Sequence, residues 1–219
     1  MNAKTNLTDG MVEWGVVCLP KPGETQSGDG YVIKAFPDGV LVAGMDGLGH
    51  GEEAAAATKV AAATLESYAH EPLVSLVQRC HRELKDTRGV AMSLASFNSR
   101  ENVMAWIGVG NVEGLLIRGQ PGAMGRRAED RTRERLLVLG GVVGYRIPTL
   151  RSRVAPVSHG DYLILATDGI HVDFAERLPF GLNPQALADH ISAHHFKGTD
   201  DSLVLVVRYV GRTHAPDSF

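Results

Sequence analysis

The chain has 219 residues, 44% of them hydrophobic and 21% charged, with a formal net charge of -3. That length and apolar content suffice for a core of ordinary globular type, and the charge leaves no electrostatic footprint for nucleic acid or an anionic membrane. No apolar run reaches the ~18–20 residues of a membrane span, and Met1–Gly10 is polar with no secretory apolar core, so the expected setting is the cytoplasm.

One domain over residues 1–219 is expected, with loose ends at 1–10 and 211–219. Alternation of Val12, Trp14 and Val16 with Glu13, Gly15 and Val17 predicts a first strand over Met11–Leu19. Pro20–Gly30 is turn-rich. Tyr31–Phe36 and Val40–Met45 read as strands joined by a tight turn at Pro37-Asp38-Gly39. After Gly51 a helix opens on Glu52 and Glu53, correctly signed for its N-terminal dipole, with Ala54, Ala57, Ala61, Leu65 and Tyr68 on one face. Pro72 begins a second helix whose apolar face carries Leu73, Leu76, Val77, Cys80 and Leu84. The helices are expected to pair over one sheet face. Cys18 and Cys80, the two cysteines, sit in apolar patterns and read as reduced, buried thiols.

Val90–Phe97, Val103–Val109 and Val112–Ile117 continue as β segments. Gly119–Glu134 breaks the rhythm with glycines, a proline and charges; it reads as a mobile surface loop, solvated or in contact with a partner. Arg135–Leu139, Leu150–Ala155 and Tyr162–Ala166 are further strands, Asn183-Pro184 starts a helix reaching about His195, and Leu203–Val210 closes the domain. Strands in runs and helices in pairs or alone make an α+β pattern, two packed sheets with helices outside.

The chemistry concentrates at strand ends. Val40–Met45 is a six-residue apolar run of the kind buried on both faces, and it lands on Asp46 before the turn Gly47-Leu48-Gly49-His50-Gly51. A carboxylate there needs compensation, from the following helix N-terminus or from a hard cation. The pattern recurs at Thr167-Asp168-Gly169, at Asp200-Asp201 before the last strand, and at Gly28-Asp29-Gly30 before the second. Four acidic corners suggest one oxygen-rich pocket, suited to Mg2+ or Mn2+ rather than zinc. His194-His195 lacks a third ligand in any recognisable motif and reads as a helix end. Gly140–Gly144 lacks the lysine and the strand–helix setting of a phosphate loop. No nucleophile elbow, cysteine phosphatase loop or serine triad is visible.

Asp46-Gly47-x-Gly49-x-Gly51, Thr167-Asp168-Gly169 and Asp200-Asp201, in that order, resemble the PPM (protein phosphatase 2C-like) metal-dependent Ser/Thr phosphatases. Arg88-Gly89-Val90-Ala91, Gly108-Val109-Gly110-Asn111-Val112 and His159-Gly160-Asp161 extend the likeness over residues 25–208. The branch of the sporulation stage II protein E phosphatase is the nearest match, and the short form looks most like the RsbX-type stressosome phosphatases. The resemblance implies an αββα sandwich of two mainly antiparallel sheets flanked by helices, with the pocket at one edge between the sheets. It implies two Mn2+ or Mg2+ ions held by Asp29, Asp46, the Gly47 carbonyl, Asp168 and Asp200. Asp46, Asp168 and Asp200 are then the catalytic carboxylates, and metal-bound water attacks in line. The implied substrates are phosphoserine and phosphothreonine on stress-signalling scaffold proteins, with no nucleic acid or membrane partner.

Three positions depart from the family pattern. Gly28 stands where a glutamate is frequent, Leu48 where many eukaryotic members carry histidine, and Glu24 where an arginine commonly grips phosphate. Phosphate recognition would then rest mainly on the metals. His50 is a secondary candidate for protonating the leaving oxygen. Asp201, in place of a frequent asparagine, reads first as a cap of the turn before the last strand; Asn111 and Gly110 read as a tight turn, and Asp161 as the cap of its own turn. Intact Asp46, Asp168 and Asp200 favour catalysis, whereas Gly28, Leu48 and Glu24 leave open a binding module that regulates a signalling partner without turnover. A phosphatase of small metabolites is a third reading.

Overall fold

The computed structural model describes residues 6–8, 10–119, 132–176, 178–179 and 181–211. Its strands are β1 (Asn6–Thr8), β2 (Val12–Leu19), β3 (Asp29–Phe36), β4 (Gly39–Gly47), β5 (Val90–Asn98), β6 (Val103–Val109), β7 (Glu113–Ile117), β8 (Arg133–Leu136), β9 (Arg153–Pro156), β10 (Tyr162–Ala166) and β11 (Ser202–Tyr209). The helices are α1 (Glu52–Ser67), α2 (Leu73–Glu83) and α3 (Pro184–His195), with a 3-10 turn at Val172–Ala175. One sheet runs β1-β2-β11-β10-β7-β8 and the other β3-β4-β5-β6-β9, and the ladders within both are antiparallel. The α+β sandwich of two mainly antiparallel sheets flanked by helices is thus the observed fold.

The period of two along each strand sorts side chains into separate layers. In β4, Leu41, Ala43 and Met45 join α1 and α2 in the outer core, while Val40 and Val42 face the other sheet. In β10, Leu163 and Leu165 fill the space between the sheets, and Tyr162, Ile164 and Ala166 pack outward with Leu187, Ala188 and Ile191 of α3. Each fully buried Leu, Val or Ile contributes about 1.5–3 kcal/mol of transfer free energy, so the inter-sheet layer holds the two sheets in fixed relation.

Local chemistry sets the helix ends. Asn183 caps α3 by accepting from the Ala186 N–H at 2.8 Å, with Pro184 opening the first turn. Helix α1 has no side-chain cap at Gly51; Glu52 and Glu53 supply charge in its first turn instead. Alanine lets α1 lie close to the sheet, where a Cβ on Gly47 would fall 2.4 Å from the Ala54 carbonyl oxygen and one on Gly30 would fall 2.6 Å from Thr58 Cγ2.

Several elements differ from expectation. Asn6–Thr8, placed in the loose start, pairs with Val12–Trp14 as an edge strand. Strand β8 begins at Arg133, inside the stretch read as loop, and most of that loop, 120–131, lies outside the described residues, as do 1–5 and 212–219. Tyr68 ends α1 rather than lining its buried face: it is 37% exposed, and the Arg79 guanidinium stacks 3.7 Å over its ring. The thiols are free; Cys80 is buried and Cys18 half-buried, and burial pushes them up to about 12 and about 11. Among the described residues no helix is long and apolar enough to cross a membrane.

Candidate metal centre

The site begins with strand register. The β3–β4 ladder sets Phe36 opposite Gly39 across a two-residue turn and carries the pairing down to Asp29 opposite Asp46. Both carboxylates follow the parity that faces the other sheet, as Val42 and Ile33 do. Side chains directly opposite on one face of an antiparallel pair lie ~5 Å apart at Cβ, and like charges there repel.

The facing sheet contributes Thr167 and Asp168 from the end of β10. Thr167 donates its hydroxyl to Asp29 Oδ2 at 2.6 Å and accepts the Leu203 N–H at 2.8 Å, a relay that fixes Asp29 from across the sandwich. Asn111, on the turn between β6 and β7, donates from Nδ2 to Asp46 Oδ2 at 3.0 Å and to Asp168 Oδ2 at 2.8 Å. One amide therefore joins carboxylates of different sheets. Asn111 does more than shape the turn, whose bend falls to Gly110 with φ 107°. Asp168 follows directly on Thr167, and Gly169 lets the Asp200–Asp201 segment cross behind it, since a Cβ there would lie 1.9 Å from the Asp201 carbonyl oxygen. Gly169→Ala is accordingly expected to cost about 3 kcal/mol, the upper end for overpacking, measured by urea denaturation.

Asp201 has a different role from the one its sequence neighbours suggest. Its carboxylate accepts the N–H groups of Lys21 at 2.7 Å and Gly28 at 2.8 Å, pinning the β2–β3 connection; Asp200 Oδ1 takes the local turn contact from the Asp201 N–H at 2.9 Å. This also accounts for Gly28. A Cβ there would meet the Ala54 methyl at 2.8 Å and Asp201 Oδ2 at 3.0 Å, so no side chain fits. His50 is turned to another partner: its Nδ1 lies 2.8 Å from Oε1 of Glu24, the residue that stands where an arginine is common. Asp161 does cap its turn, accepting from the Ser158 N–H at 3.0 Å, and it also takes the Gly119 N–H at 2.6 Å. His194 Nδ1 lies 2.8 Å from the His190 carbonyl oxygen, and His195 Nδ1 lies 3.1 Å from Asp173 Oδ1, in keeping with a helix end.

Electrostatics ties the corners together. Burial, then the Asp46 charge, push Asp29 up to about 8, with Asp201 and Asp168 acting in the same direction and the Thr167 hydroxyl opposing them. Burial, then Asp168, push Asp46 up to about 7, with Asp200 and Asp201 acting in the same direction and the Asn111 amide opposing them. Among the described residues no group of three or more His, Cys, Asp or Glu is already arranged as a metal cage. The donor set nonetheless fits a hard divalent cation: it is all oxygen, and its two inner carboxylates are short of positive charge.

Asn111, which reads from sequence as part of a tight turn, and Thr167, which reads only as the start of a Thr-Asp-Gly corner, both contribute to the site. Thr167 stood within the quoted Thr-Asp-Gly motif, and a threonine at the inward parity after β10 was the available signal. Thr167→Val is expected to leave the Leu203 N–H without its acceptor, at a cost of about 2 kcal/mol in chemical denaturation, while Thr167→Ser retains most of the stability.

The model of the stage II sporulation protein E (SpoIIE) family matches residues 37–214. Phosphoserine phosphatase RsbX of Bacillus subtilis (strain 168) is 24% identical over 184 residues, covering 84% of this chain and 87% of that protein. A solved chain from work on the bacterial stressosome as a modular system adapted to control secondary messenger signalling shares 28% identity at a TM-score of 0.77, over 90% of this chain and 99% of its own. The crystal structure of RsbX in complex with magnesium superposes at a TM-score of 0.80 with 22% identity, over 94% and 98% of the two chains. Two mainly antiparallel sheets flanked by helices match the PPM-type sandwich. The chain belongs to the stage II sporulation protein E family of PPM-type protein phosphatases, on the RsbX branch and related to the stressosome phosphatases.

Proposed function

We propose that this protein is a Mn2+- or Mg2+-dependent phosphoserine/phosphothreonine phosphatase that acts on phosphorylated scaffold or signalling partners of stressosome type. The observation that carries the reading is the Asn111 amide bonded to Asp46 and Asp168 at once, because it sets carboxylates from both sheets around one point. Asp29, Asp46, the Gly47 carbonyl, Asp168 and Asp200 are the groups that would hold the ions, with two cations as the expected load. Bound divalent ions supply Lewis-acid activation of water and neutralise charge on the phosphoryl group.

The chain's own residues set the geometry for that chemistry. Thr167 orients Asp29, Asn111 spaces Asp46 from Asp168, and Asp201 locks the β2–β3 connection against the rim. The likeness to a phosphoserine phosphatase and to a stressosome chain supports protein-borne phosphate as the substrate and stress signalling as the setting.

Glu24, at the position where an arginine commonly grips phosphate, favours a second reading, a partner-binding module with little turnover; its carboxylate lies 2.8 Å from His50 Nδ1. Phosphate release from a phosphorylated scaffold protein, with and without Mn2+, for wild type and Asp46→Asn separates the two. Mn2+-dependent release that disappears in Asp46→Asn supports catalysis; equal release from both proteins would overturn it.

A further inference from the structure

The rim that attracts divalent cations also repels the phosphate monoester, itself an anion, so an acidic site needs positive charge placed for the substrate. Among the described residues, Lys197 is the one lysine or arginine whose side chain hydrogen-bonds to a residue of the acidic cluster: Nζ donates to the Asp168 carbonyl oxygen at 2.6 Å. Its backbone N–H donates to the Gly169 carbonyl oxygen at 2.9 Å. Two ties to the same corner fix where the ammonium stands.

Its partner also differs in kind from those of other cations nearby. Arg88 is paired with Glu53, and Arg135 is held by Glu113 at 2.6 Å and by the Val172 carbonyl oxygen at 2.9 Å. In each case a carboxylate cancels the charge. Lys197 is bonded to a neutral carbonyl and makes no salt bridge among the described residues, so its charge is not cancelled by an ion pair. An ammonium carries three N–H donors, and the Asp168 carbonyl takes one.

We propose that Lys197 forms the phosphate-binding side of the site, its remaining N–H groups donating to oxygens of the substrate phosphate beside Asp168. This rests on the phosphatase reading and gives that site a cationic contact from the chain itself. The ligand class is a phosphate monoester dianion, with inorganic phosphate as the product that occupies the same position.

The test compares wild type, Lys197→Met and Lys197→Arg. Mn2+ affinity is measured by calorimetry on the metal-free protein, and inhibition by inorganic phosphate together with KM for a phosphopeptide is measured on the Mn2+-loaded protein. Removing a positive charge from an acidic rim is expected to tighten Mn2+ binding by about threefold or more. The same change is expected to raise KM and the inhibition constant of phosphate by about tenfold, the scale of one charge-assisted hydrogen bond, with kcat moving less. Lys197→Arg is expected to recover most of both. A Lys197 that merely braces the Asp168 carbonyl predicts the reverse for the metal, weaker Mn2+ binding and a lower Tm; that result, or unchanged phosphate inhibition, would overturn the assignment. Either result beside an active wild type counts against Lys197 alone, whereas a wild type without Mn2+-dependent activity overturns the phosphatase reading as well.

Discussion

Asp46→Asn is expected to lower Mn2+-dependent phosphate release by on the order of a thousandfold, the scale of losing a principal electrostatic contact, while making the metal-free protein more stable. The opposite signs come from one cause. Asp46 sits directly across from Asp29, and its carboxyl is pushed up to about 7 by burial and by Asp168. Asparagine keeps an oxygen to accept from Asn111 Nδ2, so the bridge between sheets survives while the charge is lost. Relief of a like-charge pair contributes about 1 kcal/mol, or about 2–4 °C in Tm for a domain of this size. Phosphate release and thermal denaturation in a chelator at pH 8 check the two halves separately. A less stable metal-free variant would mean that the carboxylates are not under mutual repulsion.

How far the site could be read in advance depends on how far apart its partners lie along the chain. The buried β4 run and its Asp-Gly corner were plain, because a strand covered on both faces leaves a continuous apolar stretch. The Asp29–Asp46 pairing was also within reach: with Phe36 opposite Gly39, register alone carries the hairpin to that pair. Asn111, Thr167 and Asp201 were not readable in this way. Their bonds span the sandwich, from Asn111 to Asp46 and Asp168, from Thr167 to Asp29, and from Asp201 to Lys21 and Gly28, and no local period encodes which strand end meets which.

Gly28 shows the same limit from the other side. As a single departure it reads as a lost ligand, yet its Cβ position is filled by Ala54 and Asp201, so the glycine, the helix alanine and the extra carboxylate form one arrangement. Glu24 and His50 are likewise coupled: the departure at Glu24 is hydrogen-bonded to the histidine that reads as a candidate acid. The 3-10 turn at Val172–Ala175 and the edge strand at Asn6–Thr8 went unread because three or four residues carry too little periodicity to register.

The second large effect is on stability against pH. Without divalent cations the protein is expected to lose stability steadily as pH rises from about 5 to about 8.5. Asp29 and Asp46 hold their protons to about 8 and about 7 in the folded state, against an ordinary value of 3.8 in the unfolded chain. Between those limits the folded state binds more protons than the unfolded state, so unfolding free energy falls with pH. The contribution of these two groups is complete below about 3.8 and is lost as pH passes through their folded values. Each tenfold gain in proton affinity on folding corresponds to ~1.4 kcal/mol, and because the two carboxyls share their repulsion the combined loss is on the order of several kcal/mol rather than a simple sum. Divalent cations bind the deprotonated carboxylates, so the rise in Tm on adding Mg2+ or Mn2+ is expected to grow over the same interval. Asp46→Asn should flatten the metal-free curve, because it removes one titrating group and lowers the repulsion felt by the other. Thermal denaturation across this range, with chelator and with millimolar Mg2+, measures all three. A metal-free curve that climbs with pH would place these carboxylates in a setting already supplied with positive charge, and the demand for a cation at the rim would disappear with it.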